Sequence, residues 1–111
     1  MGGRAFSSRQ VLQSAAGATG DGSPMDVRGL AASVVQLIGT FTATITWEAS
    51  LDGAAWVAVQ AVPLATGTAA TTATAAGLYR VDTRGLVALR ARVSAFTSGT
   101  IDAVGYGSAE G

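Results

Sequence analysis

Few side chains in this sequence could carry chemistry. Glu48, Asp52, Asp82 and Asp102 are the carboxylates to weigh as an acid/base pair, and Glu48 and Asp52 flank one hairpin. A glycosidase sets two carboxyls across a cleft, and a small alanine-rich chain offers none. There is no histidine and no cysteine. That removes imidazole acid/base work, zinc–histidine and thiolate sites, and disulfides. Ser7, Ser8 and the many threonines have no base to activate them. Calcium needs several clustered oxygen ligands, whereas Gly20–Gly22 holds one acid in a glycine run and reads as a turn. The glycine-rich end, Gly105–Gly111, opens no helix and is no phosphate loop. No catalytic residue, cofactor or metal is expected.

What remains is interface chemistry. All seven basic residues are arginine, a residue suited to planar, bidentate contacts. The seven acids balance them to a net charge of zero, so the basic footprint of a nucleic-acid binder is missing. Charged residues make up 13 % of the chain, against about 25 % in a typical soluble domain. A surface so thinly charged is poorly defended against association. No run of 18 apolar residues exists, so no membrane-spanning helix is expected. The opening residues lack the apolar core of a signal peptide.

The elements that must position these groups are strands. Residues 1–24 are rich in Gly, Ser and Ala and read as a flexible arm that gains order only against a partner. On it, Arg4, Phe6, Arg9, Val11 and Leu12 are the candidate docking residues. From Met25 the pattern has period two. Ala32–Ile38 and Phe41–Ser50 read as strands. In the second, Phe41, Ala43, Ile45 and Trp47 face one way and Thr42, Thr44, Thr46 and Glu48 the other. Asp52-Gly53 signals a hairpin. A three-residue loop, Leu51–Gly53, puts Val57 opposite Trp47 and keeps one face apolar, with Gly53 left-handed. Trp56 then falls on the polar face beside Glu48. There it is covered by the second sheet, covered by another subunit, or exposed as a binding platform. Residues Pro63–Ala76 read as a weak edge strand or long loop, followed by strands at Gly77–Thr83, Leu86–Phe96 and Ile101–Ser108. In Leu86–Phe96, Val87, Leu89, Ala91, Val93 and Ala95 oppose Arg90, Arg92 and Ser94. Arg90 and Arg92, with Trp56, are candidates for a subunit contact.

One phrase is written twice, as Asp26–Leu30 and Asp82–Leu86: Asp-x-Arg-Gly-Leu, a strand, Gly-Thr, then an alternating strand. The second copy has four extra residues before its Gly-Thr. Asp26 and Asp82 can accept turn amides, and Gly29 and Gly85 can supply positive φ. The phrase therefore reads as a repeated corner, with Asp52 and Gly53 as a third structural turn. The expected fold is all-β: a small antiparallel β-sandwich of jelly-roll type with about seven or eight short strands. It spans residues 25–108, with a loose tail at 109–111.

Gly39–Val59 resembles a phrase found in small tailed-bacteriophage virion proteins: Gly-Thr-Phe, an alternating strand, Glu-x-Ser-x-Asp-Gly, then Trp and apolar residues. Here these are Glu48, Ser50, Asp52, Gly53 and Trp56. Gly77–Gly107 and Ala18–Gly29 resemble other parts of the same proteins. The resemblance implies a virion structural role, with capsid decoration or cement foremost. It implies a homo-oligomer, with a trimer favoured, contacts to the major capsid protein or other virion proteins, and a place on the particle exterior after assembly in the host cytoplasm. No nucleic acid or membrane partner is expected. A tail, neck or fibre component, including a carbohydrate-recognising module using Trp56 or Tyr79, is the alternative.

Overall fold

The computed structural model describes residues 9–109. Arg4 and Phe6 lie outside them. The described residues form ten strands: β1 (Gln10–Ala16), β2 (Met25–Asp26), β3 (Ala32–Ile38), β4 (Phe41–Ser50), β5 (Val57–Ala58), β6 (Val62–Pro63), β7 (Thr72–Ala73), β8 (Gly77–Asp82), β9 (Ala88–Gly99) and β10 (Ile101–Ser108). Sheet A runs β1-β10-β3-β8-β6 and sheet B runs β2-β9-β4-β5, with β7 also on β4. All pairings are antiparallel. Without the two-residue β6 and β7, the remaining strands follow jelly-roll order: they alternate between sheets except at the β4–β5 hairpin, with the first beside the last and the second beside the next to last. The expected all-β sandwich is the observed fold.

Alternation decides what is buried. Ala43, Ile45 and Trp47 on β4, Leu89, Ala91 and Val93 on β9, Val35 and Leu37 on β3, and Val81 on β8 form the core between the sheets. Trp47 is fully buried, with its ring centroid 5.2 Å from that of Tyr79. The Tyr79 hydroxyl donates to the Ala75 carbonyl at 2.6 Å. Burial raises its pKa above the ordinary value, against the effect of that bond. On β9 the alternation expected through Ala95 breaks. Thr42 pairs Ser98 but Ala43 pairs Phe96, and Thr44 pairs Ala95 but Ile45 pairs Val93. Two additional β9 residues, Ser94 and Thr97, are accommodated as bulges. The first flips the faces, so Ala95 is exposed and Phe96 packs on the core. The bulges absorb two of the four extra residues in the second copy of the repeat.

The repeated phrase is a repeated corner. Arg28 N donates to Asp26 Oδ1 and Arg84 N to Asp82 Oδ1, each at 3.1 Å. Leu30 N reaches Val27 O and Leu86 N reaches Thr83 O, each at 3.0 Å. Gly29 and Gly85 hold φ of 78° and 83°, where a side chain is strained. One corner carries the chain from sheet B to sheet A, and the other carries it back. The two Gly-Thr turns complete the correspondence. They lie against each other, with Thr100 N donating to Thr40 O at 3.1 Å.

The expected arm is corrected over part of its length. Residues 10–16 are strand β1, paired to β10 (Gln10 with Gly105, Val11 with Val104). The physical reason is that β10 has an unpaired edge and a core gap beside Gly105. Leu12 fills that gap with Met25, and it is 1 % exposed. Gln13 Nε2 donates to Ala91 O at 2.8 Å, tying β1 to sheet B. Gly20 then bridges Val93 on β9, and Met25–Asp26 pair with Leu89 and Ala88.

Candidate functional site

Two surfaces hold the residues of interest, one on the outside of each sheet. On sheet B the outward positions of neighbouring strands converge. Glu48 pairs Arg90 and Thr46 pairs Arg92 across β4 and β9. Glu48 Oε1 lies 2.7 Å from Arg90 Nη2 and accepts from Arg90 Nε at 2.8 Å. Its Oε2 accepts from Arg92 Nη1 at 3.4 Å. Asp21, on the segment before β2, reaches Arg90 at 3.5 Å and Arg92 at 3.6 Å. The Arg90 guanidinium lies 4.2 Å from the centre of the Trp56 ring, within cation–π range. Side-chain exposure is 11 % for Glu48 and 15 % for Arg90. This is a desolvated core of opposite charges with a half-open rim at Arg92 and Asp21.

The cluster brings together Trp56, Arg90 and Arg92, as the strand alternation requires. Trp56 falls beside Glu48 on the polar face, but Arg90 of its own chain covers the ring. Sequence reasoning took Glu48 only as a candidate acid, and Asp21 as part of a turn. Their role as the counter-charges of two arginines depends on a pairing between distant strands. Ser94 completes the face. It shares a hydrogen bond of 2.7 Å with Thr46 Oγ1 and donates to Thr44 O at 3.2 Å, so the bulge residue is satisfied.

The hairpin next to this face is longer than expected. Ala49 pairs Val57 and Glu48 pairs Ala58, which leaves residues 51–55 as the loop. The slip is two residues, so every side chain keeps its face. The longer loop is held by Ser50 and Asp52. Ser50 Oγ accepts from Asp52 N at 3.1 Å and Gly53 N at 2.8 Å, and donates to Asp52 Oδ1 at 2.9 Å. Asp52 Oδ1 also accepts from Ala54 N and Ala55 N. These bonds, chiefly those from the Ala55 and Ala54 amides, hold its pKa down at about 2. Gly53 has φ 76° as expected. Thus three residues of the motif, Ser50, Asp52 and Gly53, build a loop.

Asp26 likewise serves its corner. The Arg28 guanidinium donates to it at 3.0 and 2.9 Å and holds its carboxyl below the usual range. Among the described residues, no three acids gather as a cation would need.

The outer face of sheet A carries apolar side chains among a few polar ones. Tyr106, Val34 and Arg80 form one cross-strand row, and Val104, Gln36 and Leu78 form the next. Tyr106 is 52 % exposed, Leu78 44 % and Ile38 41 %, and Val11, on the neighbouring β1, 54 %. Arg9, Val34, Gln36, Ile38, Leu78 and Tyr106 are among the residues around a shallow depression of about 210 Å³ here. Of the candidate docking residues, Arg9 and Val11 therefore lie on this face, while Leu12 is spent on the core. The signal for this surface was present in Val34-Val35 and in Val104 and Tyr106, where apolar residues occupy both faces of a strand.

Fold and surfaces together define a jelly-roll sandwich in which Asp26 and Asp82 serve corners, Asp52 caps a loop, and Glu48 and Asp21 neutralise a pair of arginines. No family model matches the sequence, and no curated protein matches it. Two solved structures share its fold. The SPBc2 prophage-derived protein YomS superposes with a TM-score of 0.84 at 14 % identity, covering 97 % of this chain and 96 % of that one. The PBSX exported protein XepA superposes with a TM-score of 0.88 at 18 % identity, covering 97 % of this chain but 39 % of that one. Both neighbours are phage-derived. The chain spans nearly the whole of the first and about two fifths of the second.

Proposed function

We propose that this chain is a non-enzymatic structural protein of a bacteriophage particle that acts as a head decoration protein. It would associate with copies of itself and with the major capsid protein on the particle exterior. The observation that carries this reading is the end-to-end likeness to a prophage-derived chain of about the same size, joined to the resemblance of Gly39–Val59 to virion proteins. The acids weighed for catalysis favour it too: Glu48 is held by two arginines, and Asp52 by loop amides. The test is immunogold labelling and mass spectrometry of particles purified from an induced culture of the source strain. Gold on the heads is the expected result. A chain found only in the particle-free fraction overturns the virion reading.

A tail, neck or fibre position is the second reading. It is favoured by the occurrence of this fold as one part of a longer phage protein, and gold on tails would select it. The carbohydrate version of that reading loses support from Trp56, because the Arg90 guanidinium occupies one face of the ring a sugar would stack on.

A further inference from the structure

We infer that the outer face of sheet A is a contact between two copies of this chain, packed face to face about a two-fold axis running along β3. This goes beyond the proposed function, because neither the face nor its symmetry depends on where the protein acts.

The face is unusual within its own molecule. Among the described residues seven large apolar side chains are exposed, and four of them, Val11, Ile38, Leu78 and Tyr106, belong to β1, β3, β8 and β10 of sheet A. Four strands at about 4.8 Å spacing and seven residues at about 3.4 Å rise give a flat footprint of roughly 450 Å². Side-chain relief raises the accessible area toward the roughly 800 Å² per partner of a standard interface. With zero net charge on the chain, no long-range repulsion opposes association of like copies.

The arrangement of residues selects a second copy over an unrelated partner. β3 lies in the middle, with β10 on one side and β8 on the other. A two-fold axis in the contact plane along β3 exchanges those two strands and maps each cross-strand row onto itself, reversed. In the row Tyr106–Val34–Arg80, Arg80 then faces Tyr106 of the partner subunit, a cation–π pair made twice. In the row Val104–Gln36–Leu78, Leu78 faces Val104 of the partner subunit. The residues nearest the axis meet their own copies. These are Val34, which is apolar, and Gln36, whose amide carries both donor and acceptor and can bond to its twin. A charged residue at either position would repel itself. The face carries no charge on its middle strand, and its arginines are at the flanks. An isologous contact requires this kind of self-complementarity. Packed sheets are rotated by about 30°, which leaves the near-axis pairs in register.

The test is light scattering coupled to size exclusion over a hundredfold range of concentration, with the full chain and three variants. Leu78→Glu and Val104→Glu each place two unpaired carboxylates in the contact, one per copy. Thr42→Glu puts the same charge on the exposed outside of sheet B. The expected result is a dimer whose Kd rises roughly 100-fold or more in Leu78→Glu and Val104→Glu and is unchanged in Thr42→Glu. Circular dichroism and thermal melting of each variant separate dissociation from unfolding. These side chains point to solvent within one chain, so folded monomers are expected. A wild-type monomer at every concentration overturns the inference. So does a trimer or larger ring, or a dimer indifferent to Leu78→Glu and Val104→Glu. None of these outcomes bears on whether the chain is found in particles.

Discussion

Replacing Glu48 by alanine tests the sheet B cluster most directly. The substitution leaves the Arg90 guanidinium, 15 % exposed, with only the carboxylate of Asp21 at 3.5 Å. Breaking a fully buried pair by removing one partner costs about 3–5 kcal/mol. Arg90 keeps a distant counter-charge and the face of Trp56, so the expected loss is about 2–3 kcal/mol. The Arg92 and Asp21 contacts add a few tenths at most, since those side chains are 43 % and 59 % exposed. Unfolding entropy of about 2.1 cal/mol/K per residue over this chain converts the loss to a fall in Tm of roughly 9–13 °C. Circular dichroism melting and urea titration would measure it. The double variant Glu48→Leu/Arg90→Leu removes both charges and should recover most of the loss, because the cost comes from the stranded arginine. A loss under about 0.5 kcal/mol in the single variant, or a double variant no better than the sum of the singles, would refute the account.

Other outcomes follow from the same geometry. Leu12→Ala should cost about 3 kcal/mol in urea unfolding, while Val11→Ala next to it should stay within about 0.5 kcal/mol; an arm detached from the sandwich would make both silent. Gly85→Ala places a side chain at φ 83° in open space and should cost about 1–2 kcal/mol. Gly99→Ala adds a collision with the Thr40 carbonyl and the Phe41 backbone, for about 3 kcal/mol or more. The folded pKa of Asp52 lies below its ordinary 3.8, so its contribution is complete above that value and is lost as pH falls from 3.8 toward about 2. Amide NMR signals of Ala54 and Ala55 should shift across that window and stay fixed above it; in Asp52→Asn the shift should vanish.

Three of the strands written by alternation were legible in full. Ala32–Ile38, Phe41–Ser50 and Ile101–Ser108 occupy the residues their pattern marks out, because each buries one face and has its register fixed by that burial. The corners were legible because Asp and Gly act within five residues of each other. What the pattern misplaced depends on distant partners. β1 looked like an arm because Gly and Ser surround it, and only the open edge of β10 makes it a strand. The loop at Leu51 ran two residues longer than expected because the Ser50 and Asp52 side chains stabilise a wider turn. Arg90 and Arg92 were legible as a pair on one face, but not the carboxylates that neutralise them. Glu48 meets them only through the β4–β9 pairing, and Asp21 through the bridge at Gly20.

The pairing of β1 with β10 constrains how the molecule comes into being. Val11 meets Val104, so the first of the described strands waits for the last of them. β2 likewise waits for β9, and β3 for β10. Contacts so remote in sequence must close long loops before they return any free energy, which slows folding. During that wait Leu12, Val35 and Leu37 stand uncovered on strands with free edges, a state prone to misassembly. A chain stopped at Thr100 would lack β10, leaving β1 without its strand partner and β3 open on one side. No N-terminal portion of the described residues that lacks β10 is therefore a folding unit, and β10 must be made before the sandwich can close.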